Sequence, residues 1–162
     1  YIHTQAHAYY LDEESENCLI EDNLALNCPS PYQGHQARNN EFRNNFFINE
    51  QDDLLIHLPL SWSENFNRNV WYSKGAVLVG NPKAITSFEN NLIYSATGKI
   101  EAYDTHFYNA VSVDKLNMDQ GSLIADPKFT EYKSGKIRFA EDSPAHKLGI
   151  RPIDVSKSGP QK

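Results

Sequence analysis

The chain has 162 residues, of which 40% are hydrophobic and 12% aromatic, and its formal net charge at pH 7 is -6. This composition is sufficient for one folded domain with a sizeable core, and it excludes an intrinsically disordered chain. The Lys and Arg residues are scattered singly and no apolar run reaches the roughly 18 residues of a membrane span, so we expect neither a nucleic-acid partner nor a membrane-spanning segment.

Five short strand-like segments follow one another along the first two thirds of the chain. Each is rich in Tyr, Ile, Leu or Val and is bounded by Gly, Pro, Asn or Asp, which is typical of short β-strands. They are HAYYLD (7–12), YQGHQA (32–37), DLLIHL (53–58), AVLVG (76–80) and KIEAY (99–103). No long amphipathic helix is predicted in this region.

A second kind of segment alternates with these strands and repeats with a period near 22 residues. An apolar residue is followed by Asn and then by three residues of strand character, as in NEFRNNFFIN (40–49) and SFENNLIYS (87–95). The aligned asparagines are separated by 22, 24 and 22 positions: Asn23, Asn45, Asn69 and Asn91. Although the chain has 16 Asn, four that fall in phase before an aromatic or aliphatic triplet indicate a structural repeat.

Short strands at this period, two or more per repeat, predict an all-β fold, the right-handed parallel β-helix, whose coils stack about 4.8 Å apart. Asn suits the inward bend between two strands because it tolerates the left-handed backbone conformation. Stacked amides can also donate to one another along the axis, so we predict an asparagine ladder. Phe46 and Ile48, or Phe47, would then fill the coil. The alternative is a β-sandwich with Asn-rich surface turns, in which the asparagines need not fall in phase.

We expect one domain, with solenoid coils in residues 1–120 and the final strands and a C-terminal cap in residues 121–162. No cap and no signal-peptide pattern is visible at the start of the sequence. We therefore expect either a chain whose signal was removed or the C-terminal part of a longer solenoid.

The segment EDSPAHKLG (141–149) predicts one short helical turn near the C-terminus. Ser143 or Asp142 can serve as the N-cap, Pro144 suits the first helical position, and Gly149 suits the stop. We expect this turn to cover the open end of the last coil, where unpaired strand edges must be blocked.

Cys18 and Cys28 have neither a metal-type spacing nor the density of a disulfide scaffold. We interpret them as two buried thiols, and a single short-loop disulfide is the alternative.

Alternation along the strands before the Asn repeats places polar residues on one outer face. If Tyr9 and Leu11 point into the coil, Tyr10 and Asp12 point out, and stacking brings residues of later coils beside them. The predicted face collects Asp12, His35, Asp53 and His57, with the aromatic residues Tyr10, Tyr32 and Trp62 nearby.

Three segments carry a resemblance to a known group of proteins. GSLIADPKFTEYKSGKIRFAEDSPAHKLGIRPIDVSKSG (121–159) resembles the closing segment of right-handed parallel β-helix carbohydrate-active proteins of the pectate-lyase-like superfamily. YYLDEESENCLIEDNLALN and GHQARNNEFRNNFF are similar to coils that carry the active site in β-helix glycoside hydrolases such as families 120 and 141. The resemblance implies a secreted or periplasmic enzyme that degrades a plant or algal glycan, with Asp12 of the YLD motif as a catalytic carboxylate. Where the family-141 pattern has an acid after IH, this chain has Leu58 and Pro59.

Glycoside hydrolysis needs two carboxyl groups, and their separation decides between retention and inversion. Asp12 is the predicted nucleophile or acid/base, and Asp53, two coils away, would favour inversion if it is the partner. His35 and His57 are candidates to orient a carboxylate or donate to a sugar hydroxyl. The candidate substrate-binding residues are Tyr10, Arg38 and Trp62: Arg38 can clamp an acidic sugar or pair with Glu41, and the aromatic rings can stack on sugars.

Two alternatives remain open at this point. A polysaccharide lyase would use a basic residue to abstract a proton next to a uronate carboxylate, which Ca²⁺ or Arg would neutralise, and Lys74 and Arg68 are the nearby bases of later coils. A non-catalytic adhesin or carbohydrate-binding β-helix would use the same polar residues only as a solvated face. For the hydrolase we predict no metal and no cofactor, a polysaccharide or oligosaccharide substrate, and a monomer.

Overall fold

The computed structural model describes residues 7–104, 110–111 and 121–158. Four successive coils of three short strands each make up the first part of the chain. The first coil contains β1 (His7–Leu11), β2 (Leu19–Glu21) and β3 (Leu24–Leu26), and the second contains β4 (Ser30–Gly34), β5 (Glu41–Arg43) and β6 (Phe46–Asn49). The third contains β7 (Leu54–His57), β8 (Glu64–Asn67) and β9 (Val70–Ser73), and the fourth contains β10 (Val77–Gly80), a 3-10 turn (Pro82–Ala84), β11 (Ile85–Glu89) and β12 (Leu92–Ser95).

Equivalent strands of successive coils pair in parallel and form three sheets, which confirms the predicted parallel β-helix. Sheet 1 contains β1, β4, β7 and β10, sheet 2 contains β2, β5, β8 and β11, and sheet 3 contains β3, β6, β9 and β12. The chain continues with β13 (Ile100–Tyr103) and β14 (Ala110–Val111) in sheet 1, β15 (Leu123–Ile124) in sheet 3, the hairpin β16 (Phe129–Glu131) and β17 (Arg138–Phe139), and the helix α1 (Pro144–Lys147). All five predicted strand segments coincide with strands of sheet 1.

The interior of the coils is filled by columns of inward-facing residues from all three sheets. In sheet 2 the inward column is Ile20, Phe42, Phe66 and Phe88, and the rings of Phe42 and Phe66 stack with centroids 5.0 Å apart. In sheet 3 the inward residues include Phe47 and Trp71, both fully buried. Such burial of large apolar side chains is the main stabilising contribution available to short strands, which could not persist alone.

The predicted asparagine ladder is confirmed at the bend between sheets 2 and 3. The Nδ2 of each Asn donates to the Oδ1 of the next, at 3.1 Å from Asn23 to Asn45, 3.0 Å from Asn45 to Asn69 and 2.9 Å from Asn69 to Asn91. The backbone N–H of each of the first three donates to the same oxygen. Ser122 continues the series, because its Oγ accepts from the backbone N–H of Asn91 at 2.9 Å.

The left-handed backbone conformation lies one position earlier than predicted. The ladder asparagines are not among the residues with positive φ, whereas the residue before each one has a φ between 50° and 57°: Asp22, Asn44, Arg68 and Asn90. The residue before each ladder Asn makes the sharp bend. The side chain of the ladder Asn then points into the coil, where its amide can bond to the ladder residues of the neighbouring coils.

The C-terminal segment packs against the side of the solenoid and not over the open end of its last coil, so that expectation was wrong. The outward residues of sheet 3, Phe46 and Ile48 among them, form a second apolar core with Ile137, Leu148 and Ile150. The reason is that sheet 3 is apolar on both faces, and an apolar face of this size must be covered. The helical turn itself was predicted correctly: Ser143 is the N-cap of α1 and accepts from the N–H of Ala145, and Gly149 after it has a φ of 67°.

Cys18 and Cys28 form no disulfide with each other, and Cys28 is buried while Cys18 is partly buried, so the alternative of a disulfide between them is excluded. Burial raises the pKa of Cys28. None of the helices in the part of the chain that the structure describes is long and apolar enough to cross a membrane.

Candidate functional site

Asp12 and His35 lie side by side where the chain leaves β1 and β4 at the corner between sheets 1 and 2. The Nδ1 of His35 lies 2.6 Å from Oδ1 of Asp12, and the hydroxyl of Tyr10 donates to Oδ2 at 2.7 Å. The backbone N–H of Glu13 donates to Oδ1 at 2.8 Å. The pKa of Asp12 is lowered by the hydrogen bond from Tyr10, then by those from His35 and Glu13. Asp12 is therefore held as a carboxylate, and its contact to Nδ1 leaves Nε2 as the second nitrogen of the His35 ring.

Next to this pair, Arg38 and Trp62 form a cationic and aromatic platform. Glu16, Arg38 and Trp62 occupy the same level of three successive coils through isolated parallel bridges. The Arg38 guanidinium lies 5.5 Å from the Trp62 ring centroid, and its Nε donates to Glu16 at 2.6 Å. Trp62 is 44% exposed, so its ring can contact a ligand as well as the guanidinium.

Backbone strain is concentrated at this corner. Of the fourteen described non-glycine residues with positive φ, eight lie in the turns that follow the strands of sheet 1, among them Glu13 (43°), Glu14 (67°) and Leu60 (57°). Such conformations cost of order 1 kcal/mol each for most residue types and cluster at ligand and active sites. The turns carrying Asp12, Arg38 and Trp62 thus contain left-handed residues such as Glu13, Glu14 and Leu60 that are not of the types that favour this conformation.

His57 lies near this group but does not contact Asp12. On sheet 1, His57 pairs in register with Gln33, which in turn pairs with Tyr10. His57 therefore lies two coils away from Asp12 and is in register with the residue two positions before it. Its Nε2 is buried and has no hydrogen-bond partner among the described residues. Burial lowers the pKa of His57, and the nearby charge of His7 lowers it further, so the ring is kept neutral.

Asp53 lies at the opposite end of sheet 1, before β7, whereas Asp12 follows β1. Its Oδ1 accepts from the backbone N–H of Ala76 at 2.6 Å, and its backbone oxygen accepts from the amide of Asn49 at 2.6 Å. A Cβ at Gly75 would lie only 2.2 Å from Oδ1 of Asp53, so the corner is tightly packed. The structure thus brings together Asp12, His35 and Tyr10, places Arg38 and Trp62 beside them, and keeps Asp53 apart as a corner residue.

Two features of this region were not anticipated from the sequence. Tyr32, expected on the outer face, is fully buried inside the coil, and its hydroxyl donates to Glu64 at 3.1 Å. Glu64 is itself fully buried and accepts from the amide of Asn40 at 3.0 Å. Burial raises the pKa of Glu64 to about 7, although these hydrogen bonds oppose the shift. Glu64 lies two positions before Phe66 on β8. Because side chains alternate along a strand, an inward-facing Phe66 predicts that Glu64 also faces inward.

No cluster of three or more His, Cys, Asp or Glu side chains suited to a metal ion occurs within residues 7–104 and 121–158.

Comparison with known proteins returned no matching family model, no matching curated protein and no matching solved structure. The fold and the exposed polar corner define the class as a parallel β-solenoid of about four turns. That architecture is consistent with carbohydrate-active and carbohydrate-binding proteins.

Proposed function

We propose that this protein hydrolyses glycosidic bonds in a plant or algal polysaccharide, at the corner that carries Asp12 and His35. The single observation that carries the proposal is the Asp12 carboxylate with hydrogen bonds from Tyr10, His35 and the Glu13 N–H. A carboxylate whose pKa is lowered in this way stays ionised, so it suits the nucleophile or general base and not the general acid. The resemblance of the YLD segment to active-site coils of β-helix glycoside hydrolases supports the same role for Asp12.

We propose that the same turn supplies the second carboxyl group that hydrolysis requires, because Asp53 is held at the other end of sheet 1. Glu13 and Glu14 follow Asp12 directly and are both exposed. Glu14 also lies 3.5 Å from the guanidinium of Arg38. We assign substrate binding to Trp62 by ring stacking and to Arg38 by hydrogen bonding. The proposed enzyme acts as a secreted or periplasmic monomer.

The test is the release of reducing sugar from a panel of plant and algal polysaccharides by the Asp12→Asn variant. Loss of the carboxylate should reduce release at least about 100-fold, because Asn can act neither as base nor as nucleophile. The free energy of unfolding should change by less than about 1 kcal/mol, since Asp12 is partly exposed.

The matched control is Asp142→Asn, which removes another exposed carboxylate that pairs with Lys128 in the C-terminal segment. It should leave sugar release unchanged. Full activity in Asp12→Asn would rule out the assignment, and Glu13→Gln and Glu14→Gln tested in parallel would identify the second carboxyl.

The contact between His35 and Asp12 favours one second candidate, a polysaccharide lyase. A histidine held through Nδ1 by a carboxylate can use Nε2 to abstract the proton next to a uronate carboxylate. A lyase would release unsaturated products that absorb ultraviolet light, and the His35→Gln variant would no longer form them. Saturated products would favour hydrolysis. Binding of glycans without any product would leave the non-catalytic carbohydrate-binding alternative.

A further inference from the structure

A cleft of about 470 Å³ lies between the solenoid and the C-terminal segment, at the far end of sheet 2 from Asp12. Its polar lining comes from Arg43, Arg68, Arg151, Glu21, Asn44 and Asn67. Its volume is that of a small-ligand site, while guanidinium and amide groups take the place of the usual apolar wall. Such a lining is suited to a charged and hydroxylated ligand.

Arg43 and Arg151 make only long hydrogen bonds to the acidic residues beside this cleft. Nη2 of Arg43 donates to Glu21 at 3.4 Å, whereas its buried Nε, 3.4 Å from Glu21 and 3.3 Å from Glu41, makes no hydrogen bond within the described residues. Nη2 of Arg151 donates to the two carboxylate oxygens of Asp22 at 3.3 and 3.4 Å and lies 3.7 Å from Glu21. Charge-assisted hydrogen bonds are normally 2.7–2.9 Å long, so these guanidinium groups retain donor capacity for a further anion.

Arg68 occupies a bend position whose left-handed backbone disfavours Arg. The equivalent bend residues in the other three coils are Asp22, Asn44 and Asn90, residue types that tolerate a left-handed backbone, whereas Arg68 adopts a φ of 57° without that tolerance. Its described hydrogen bond goes to the neutral Oδ1 of Asn67 at 2.8 Å, and no carboxylate among the described residues forms an ion pair with it. The exposed Arg68 guanidinium thus keeps donors that a ligand can use.

The C-terminal segment closes the cleft at Gly149. A Cβ at Gly149 would lie 3.2 Å from the Nε of Arg68, and the φ of Gly149 is 67°. The close approach places the Arg68 guanidinium against the segment that also carries Arg151, and a ligand here would contact both the solenoid and the C-terminal segment.

We propose that this cleft binds the oxyanion substituent of an acidic saccharide, either a carboxylate or a sulfate ester. The planar guanidinium fork matches both oxyanions in a bidentate manner. The saccharide part of the ligand rests on the proposed function, whereas the anion part rests on the three arginines.

The test is calorimetric titration of the whole chain at low salt with four probes. They are a uronic-acid trisaccharide, a sulfated trisaccharide, a neutral trisaccharide of the same linkage and inorganic sulfate. One acidic trisaccharide should bind at least about 10-fold more tightly than the neutral one, and added salt should weaken it. Whichever acidic probe binds identifies the oxyanion.

The decisive variant is Arg68→Asn. It should weaken binding at least about 10-fold while the thermal unfolding midpoint stays the same or rises, because Asn relieves the strained bend. The matched control Arg138→Gln removes an exposed Arg that pairs with Glu131 in the C-terminal hairpin, and it should leave binding unchanged.

Three outcomes would overturn the proposal: equal binding of the neutral probe, sulfate binding as tight as that of either acidic saccharide, or full binding in Arg68→Asn. Titration of the Asp12→Asn variant separates this proposal from the hydrolase. Acid-specific, Arg68-dependent binding would stand even if Asp12 proved to have no catalytic role.

Discussion

Asn44 and Asn45 are neighbours in the sequence and have opposite structural tasks. Asn45 is fully buried: its amide donates to Asn69 and to the backbone oxygen of Ile20, and its Oδ1 accepts from the N–H and the amide of Asn23. Every donor and acceptor of this side chain is thus satisfied, which removes the usual cost of burying an amide.

Asn44 points outward and ties the C-terminal segment to the solenoid. Its Oδ1 accepts from the N–H of Arg151 at 2.8 Å, and its Nδ2 donates to the backbone oxygen of Arg151 at 3.1 Å and to Asp22 at 2.6 Å. The Asn44 side chain thus bonds both the backbone N–H and the backbone oxygen of Arg151, as a neighbouring strand would. Of these two adjacent asparagines, Asn45 therefore bonds inside the coil and Asn44 bonds outside it.

Asn69→Ala is expected to be one of the most destabilising single changes in the ladder. It removes the acceptor of two N–H groups of Asn45 and the donor to the backbone oxygen of Phe42, all in the dry interior. At 1–3 kcal/mol for each unsatisfied buried group, the loss in the free energy of unfolding should be about 3–5 kcal/mol, measured by urea denaturation. Asn65→Ala, on the outer face of the same coil, should cost less than about 1 kcal/mol. Similar losses in the two variants would contradict a structural role for the ladder.

At the scale of elements, β6 shows how one strand serves two cores. Phe47 points inward with Trp71 on the next strand, whereas Phe46 and Ile48 point outward under the C-terminal segment. The ring of Phe46 lies 6.1 Å from that of Phe139. Because β6 is apolar on both faces, the alternation that assigns inward residues elsewhere could not decide from sequence which aromatic residue fills the coil.

Phe46→Ala and Phe47→Ala therefore form a matched pair on the same strand. Each should lower the free energy of unfolding by about 3–5 kcal/mol through the lost contacts and the cavity. Hydrogen exchange should separate them. Phe46→Ala should speed exchange in the C-terminal segment, for example at the N–H of Ile150, and Phe47→Ala should speed it at coil amides such as that of Val70. Identical exchange patterns would mean that the two cores are a single cooperative unit.

At the scale of the whole molecule, stability depends on pH through every group whose pKa changes on folding. Glu64 is the group with a strongly raised pKa among the described carboxyls, from the ordinary value of 4.5 to about 7. The folded protein thus keeps a proton that the unfolded chain releases between these values. Glu64 therefore contributes stability at low pH that is lost as the pH rises from about 4.5 through about 7.

Glu64→Gln should remove this contribution. The difference in unfolding free energy between the variant and the unaltered protein should shift in favour of the variant by about 3 kcal/mol from about pH 4.5 to about pH 8.5, measured by urea denaturation across pH. The comparison isolates Glu64, because groups such as Asp12 and His57 titrate in both proteins. The control Glu131→Gln, at a partly exposed carboxyl, should show no such shift over this range, and a constant difference for Glu64→Gln would refute the buried, protonated carboxyl.

Part of the candidate site could be predicted from the sequence, and part could not. Stacking of consecutive coils correctly placed His35 beside Asp12, because parallel register follows from the repeat. Asp53 was expected on the same face, but its position before β7 places it at the other end of the sheet. The arginine cleft was not predicted, because Arg68 and Arg151 lie far apart in sequence and meet only through the C-terminal segment.

The sequence by itself determined the solenoid, its four coils, the ladder and a helical turn with Ser143 or Asp142 as its N-cap, because each depends on periodicity, local alternation or local hydrogen bonding. Only the tertiary structure decided that the C-terminal segment covers the side of sheet 3 and that three arginines share one cleft. These features depend on which apolar face remained uncovered after the coils had stacked. The free energy gained by burying the whole apolar face of sheet 3 decides where the C-terminal segment packs. No local pattern of residues specifies this position.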